Sequence, residues 1–190
     1  MNTSESASPI VLFDTTILCG AIRTNGINRQ LLKMASQTLD YRVVLSKVCL
    51  LEFLKKATYD GIGGSLYPID IVEEFLSFFV YPILKNNPAV NSAVGRHHWE
   101  IARRKEMQIG QALAEISGIS TIKAILLAES KGMQEPLREF DEQDVHVWVT
   151  AIQEKCSFIV TSNTKRFPKT IGEIKRIKPG DFYNMIMNND

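Results

Sequence analysis

The stretch from Asp141 to Pro168, DEQDVHVWVTAIQEKCSFIVTSNTKRFP, constrains this chain more than any other. Asp141 and Asp144 open a run of helical character. The β-branched segment Phe158-Ile159-Val160-Thr161 follows, and Ser162-Asn163 makes a polar turn. A helix that begins with acids and leads into a buried strand ending in polar groups brings both sets of side chains to one end of a sheet. Metal chemistry needs that convergence, because hard divalent cations take oxygen ligands from several places at once.

Two earlier segments have a related form. Ile10 to Phe13 is a continuous apolar run, as expected of a strand buried on both faces of a parallel sheet, and Asp14 ends it. Thr15 or Thr16 then caps a short helix, and Asn28 to Ser36 carries Leu31, Leu32 and Ala35 at helical spacing. Arg42 to Leu45 reads as a second strand. Ser46 starts a helix whose Val48, Leu51 and Leu54 recur at three-to-four spacing down to Tyr59. Glu52 lies in the middle of that helix, where a solvent-facing acid and a metal-directed acid look alike.

Later segments complete the alternation. Gly61-Ile62-Gly63-Gly64 lacks the Gly-Lys-Ser/Thr continuation of a phosphate cradle and reads as a flexible turn. Asp70 to Leu84 is a helix with an aromatic stripe of Phe75, Phe78, Phe79 and Tyr81, suited to a core or a dimer interface. Thr121 to Ser130 is a further helix, Gly172 to Ile177 a last strand, and Pro179 to Met187 a short terminal helix. Apolar runs at Ile10, Val43 and Phe158 separated by helical segments predict an α/β fold with a central parallel sheet flanked by helices.

At 190 residues with 45% hydrophobic content the chain suits one domain over 1–190, with a polar leader at 1–8 and a mostly helical insertion at 60–139. A formal charge of +1 excludes a strongly basic coat, so nucleic-acid contact has to come from a local patch. The leader lacks a basic start and an apolar core, and no apolar run reaches bilayer length, which makes a cytoplasmic location the expectation. Cys19, Cys49 and Cys156 are far apart in apolar surroundings and read as buried reduced thiols.

Asp-x-x-Asp-x-His-Val, an apolar helix, Ile-Val-Thr-x-Asn and Phe-Pro together closely resemble the C-terminal signature of PIN domains. Asp14 after the first strand and Glu52 in the helix after the second match that family's other two landmarks in order. The resemblance implies a three-layer fold and a Mg²⁺- or Mn²⁺-dependent endoribonuclease, best represented by the toxins of toxin–antitoxin pairs. It implies an RNA substrate, an antitoxin partner and a homodimer. Carried over residue by residue, Asp14, Glu52 and Asp144 are the catalytic metal ligands. Asn163 is a weak ligand or supports from behind them, Asp141 is either a further ligand or a helix cap, and Thr16 and Thr161 support the site.

The sequence departs from the family where Asn163 replaces a frequent Asp, where Arg166 replaces the acid before Phe-Pro, and where Thr16 replaces a frequent Asn. Three carboxylates rather than four predict that a second metal binds weakly or only with substrate. If the acids cluster unpaired, replacing Asp14 by Asn should leave the fold intact or slightly stabilised. Arg96, His97, His98, Arg103, Arg104 and Lys105, with Trp99 among them, form the one basic cluster. Arg103, Arg104 and Lys105 suit either RNA phosphates or a solvated helical face. Two other readings stand beside the ribonuclease: a PIN-like module that binds RNA or protein without cleaving it, and a haloacid-dehalogenase-type phosphatase. The phosphatase wants a second Asp where Thr16 stands.

Overall fold

Ile10–Phe13 forms strand β1, with Val11, Leu12 and Phe13 fully buried, because the strand has parallel neighbours on both edges and helices on both faces. The structure, a computed structural model, describes residues 8–37, 40–91, 144–164, 169–171 and 173–188. The remaining strands are β2 (Arg42–Val44), β3 (Phe158–Val160), β4 (Thr170–Ile171) and β5 (Ile174–Ile177). Their order is β2-β1-β3-β5-β4, with β4 alone antiparallel to its neighbour. Of the last strand expected over Gly172 to Ile177, Ile174–Ile177 forms β5, with β4 before it as an antiparallel partner, and β2 ends one residue early, although Leu45 stays buried.

The described helices are α1 (Thr15–Arg23), α2 (Ile27–Ala35), α3 (Lys47–Lys55), α4 (Ile69–Phe75), α5 (Tyr81–Asn86), α6 (Val145–Gln153) and α7 (Pro179–Met187). Val11, Phe13, Val43 and Val160 point to one face of the sheet and pack with Ile17 and Leu18 of α1, Leu31 and Leu32 of α2, and Phe182 and Ile186 of α7. Leu12, Val44 and Ile159 alternate to the other face, where α6 buries Val147, Trp148, Ala151 and Ile152. Helix, sheet and helix make three layers. Full burial of Phe13, Phe53 and Phe182 contributes about 1.5–3 kcal/mol each.

Capping explains where the helices start. Asp14, rather than Thr15 or Thr16, is the N-cap of α1, and Ser46 caps α3 by accepting the Cys49 N–H at 3.0 Å. Asp144 occupies the N-cap position of α6 instead of its first turn, with no side-chain capping bond to the helix. The expected helix from Asp70 to Leu84 is interrupted between α4 and α5 by a π turn over Leu76–Val80, in which the Tyr81 N–H reaches the Leu76 carbonyl. Pro82, at the start of α5, has no N–H to give and crowds the carbonyl four residues back, so the ladder shifts by one. A second π turn, Lys56–Asp60, follows α3.

Phe75 stacks between Phe53 and Phe79 at 5.3 and 5.4 Å, and Arg29 covers the Phe79 ring at 5.2 Å. The aromatic stripe therefore divides: Phe75 joins the core, while Phe78 and Tyr81 remain exposed. Of the expected insertion, the part up to residue 91 is described. The basic cluster from Arg96 to Lys105, the helix from Thr121, Asp141 and Arg166 lie outside the described residues. No described helix is long and apolar enough to cross a membrane.

Candidate active site

Parallel pairing brings the ends of β1 and β3 together, and the Asp14 N–H continues the ladder onto the Val160 carbonyl at 3.2 Å. Asp14 is consequently buried, and its carboxylate collects donors from both strand ends. Oδ1 accepts the Thr15 N–H at 2.7 Å. Oδ2 accepts the Thr16 hydroxyl at 2.8 Å, the Thr161 hydroxyl at 2.7 Å and, more distantly, the Thr16 N–H. The two hydroxyls lie 3.3 Å apart, but each has one hydrogen and directs it at Asp14. Their lone pairs receive backbone donors instead: Ser162 N–H to Thr16 at 2.9 Å and Asn163 N–H to Thr161 at 3.0 Å. The Ser-Asn turn after β3 is locked to Asp14 through these two threonines.

Glu52 reaches the same edge from α3. Its Oε2 accepts the Thr15 hydroxyl at 2.6 Å, and its Oε1 stands 3.2 Å from Nε2 of His146, a fully buried residue of α6. That contact has the distance of an ion pair without the alignment of a hydrogen bond. Burial alone would raise the Glu52 pKa, but His146, Thr15 and the charge of Lys56 outweigh it and hold the carboxyl below its ordinary 4.5. Burial likewise opposes a charge on His146. The Cys49 thiol and Glu52 carboxylate beside the ring win, and the pKa rises to about 10.

Asp144 enters from the start of α6, its Oδ2 accepting the Asn163 amide at 2.7 Å. Asp14, Glu52, Asp144 and Asn163 thus belong to one hydrogen-bonded string: Glu52 through Thr15 to Asp14, then through Thr161 to Asn163 and Asp144. The carboxylates are not the bare, mutually repelling set that the sequence suggests, because each has a donor of its own. Among the described residues no three His, Cys, Asp or Glu side chains stand close enough to hold one ion together. The donor type nonetheless suits a hard cation: three carboxylates and an amide, all supplying oxygen.

Thr16 and Thr161 both donate to Asp14, a contact the sequence reading offers for Thr16 alone. Thr15 and His146 acquire site contacts that the sequence reading assigns to neither, and the charge of Lys56 acts on Glu52. His146 had a visible signal, standing two residues beyond Asp144 at the head of an apolar helix. Thr15 had only its adjacency to Asp14. All three cysteines are free, with Cys49 and Cys156 buried and Cys19 half-buried. No protein-family model matches the sequence, and no curated protein matches it, so the geometry of this edge carries the functional reading.

Proposed function

We propose that this protein is a Mg²⁺- or Mn²⁺-dependent endoribonuclease of the PIN type that hydrolyses RNA phosphodiester bonds with departure of the 3′ oxygen. One observation carries the reading: the hydrogen-bonded string that joins Asp14, Glu52, Asp144 and Asn163 at the C-terminal edge of a parallel sheet, although they come from four distant segments. Asp14, Glu52 and Asp144 would hold the cation, with Asn163 beside them. Bound there, it would supply Lewis acidity and an activated water.

The chain's own groups prepare the rest. Thr16 and Thr161 fix the rotamer of Asp14, and Thr15 steers Glu52 toward the same edge. His146 balances the Glu52 charge in the metal-free protein. An antitoxin partner, a homodimer and action in the cytoplasm belong to the same proposal. The exposed Phe78 and Tyr81 supply apolar surface for association.

A second reading, a PIN-like module that binds without cleaving, draws on the Asn163 amide that engages Asp144 where an acid would serve a metal. Purified protein incubated with single-stranded RNA and Mn²⁺, alongside Asp14→Asn and Asp144→Asn, separates the two. Cleavage abolished by either substitution, with Mn²⁺ affinity weakened in calorimetric titration, is the expected result. RNA left intact by the wild type while still bound would favour the module.

A further inference from the structure

Beside Thr16 the surface opens into a cleft of about 630 Å³ lined by Thr16, Cys19, Arg23, Asn28, Lys56 and Ser162, with the turn at Gly61 to Gly63 as its floor. A second cleft of about 500 Å³ adjoins it, sharing Thr24, Asn28 and Ser162, and continues past Thr164 to Lys178. Sharing those three residues, the two clefts are read as one groove that adjoins the acidic edge through Thr16, whose hydroxyl is bonded to Asp14. Lys56 lines the same cleft as Thr16, which places that cation toward the same end.

We propose that the backbone of single-stranded RNA lies in this groove, its phosphates held by Arg23, Lys56 and Lys178. The three cations come from the end of α1, the π turn after α3 and the residue before α7, and none enters an ion pair with another described residue. Two close approaches show the groove to be built. A Cβ on Gly63, whose φ is +61°, would stand 2.8 Å from the Arg23 guanidinium carbon, so the guanidinium lies against bare backbone. The Asn28 amide occupies the space a Cβ on Gly20 would need.

The lining also indicates what is read. Hydroxyls of Thr24, Ser162 and Thr164 and the Asn28 amide suit phosphate oxygens and ribose 2′-hydroxyls, and among the described residues no aromatic ring lines either cleft. The described lining thus offers contacts to sugar and phosphate. This inference rests on the ribonuclease reading for the identity of the strand, but its test does not depend on cleavage.

The test is fluorescence anisotropy of a labelled 20-nucleotide RNA of mixed sequence in EDTA, across a range of salt. The variants are the triple Arg23→Gln/Lys56→Gln/Lys178→Gln and a charge-matched control, Lys47→Gln/Lys85→Gln/Lys175→Gln. Losing three phosphate contacts on a single strand should flatten the slope of log affinity against log salt by about 2 and weaken binding at least tenfold near 0.1 M salt, with the control unchanged. Equal slopes for the groove triple and the wild type, an equal loss in the control, or no RNA binding by the wild type would each overturn the proposal. DNA of the same sequence bound as tightly would overturn RNA as the occupant. Groove-dependent binding without Mn²⁺-dependent cleavage would sink the ribonuclease reading and leave the groove standing.

Discussion

His146 Nε2 and Glu52 Oε1 stand 3.2 Å apart, a buried imidazole set against a carboxylate that keeps 28% of its side chain exposed. The pair joins α6 to α3 across the candidate site and gives the metal-free protein a defined dependence on pH. The His146 pKa is raised from 6.5 to about 10, so its contribution to stability is complete below pH 6.5 and is lost as pH rises through 10. The Glu52 pKa is lowered from 4.5, so its contribution is complete above that value and is lost as pH falls through the depressed one. Urea unfolding in EDTA should show a plateau between these limits. His146→Leu should lower it by about 2 kcal/mol, less than for a fully buried pair because water reaches Glu52, and should remove the fall that begins near pH 6.5, leaving the part above pH 9 that the buried thiols contribute. An unchanged alkaline limb in the variant would show that His146 is not charged in the folded protein.

Asp14→Asn should destabilise the metal-free protein by about 1–2 kcal/mol, reversing the sign expected of an unpaired acidic cluster. Both carboxylate oxygens accept hydrogen bonds, so an amide NH₂ at either place would confront a donor with a donor. Thermal unfolding in EDTA measures this. A melting temperature equal to or above that of the wild type would contradict the observed hydrogen bonding.

Asn163→Asp replaces a donor with an acceptor 2.7 Å from Asp144 Oδ2. Two carboxylates at that separation should cost about 1–2 kcal/mol in the absence of metal, moderated by the partial exposure of Asn163. Added Mn²⁺ should restore the stability and bind more tightly than to the wild type. Melting curves with and without Mn²⁺ test both effects, and loss of stability without rescue would separate Asn163 from any metal role.

Burial pushes the Cys19 thiol up to about 11 and the Cys156 thiol up to about 12 from 9.0. At pH 8 Cys19 should react with a thiol reagent about a hundredfold more slowly than a free cysteine, as its thiolate fraction dictates, and Cys156 more slowly still. Three equivalents should react in denaturant. Rapid native labelling of Cys156, followed by mass spectrometry, would indicate that α6 opens away from β3.

What the sequence reveals depends on how local the cause is. β1 was readable because burial on both faces demands a continuous apolar run, and α7 because Pro179 begins it. Asp14, Glu52, Asp144 and Asn163 were singled out through a resemblance, yet their hydrogen-bonded linkage was not legible, since the Thr15 and Thr161 hydroxyls that link them act across 37 and 147 positions. The groove cations were invisible for a similar reason. Arg23, Lys56 and Lys178 make no basic run, and folding alone assembles them, whereas Arg103 to Lys105 stand out by adjacency. The hairpin of β4 and β5 is too short for alternation to register, and a π turn changes hydrogen-bond partners without changing side-chain pattern.

The π turn over Leu76–Val80 carries a consequence for the evolution of this surface. The turn absorbs one extra residue, which in a regular ladder would rotate everything after it by about 100°, and Ile83 is fully buried with that residue absorbed. A single-residue deletion inside the π turn would restore the regular ladder and keep Ile83 facing inward, whereas the same deletion between that turn and Ile83 would rotate Ile83 by about 100° toward water. Descendants of this chain can lose one residue at the π turn more readily than anywhere else along the segment.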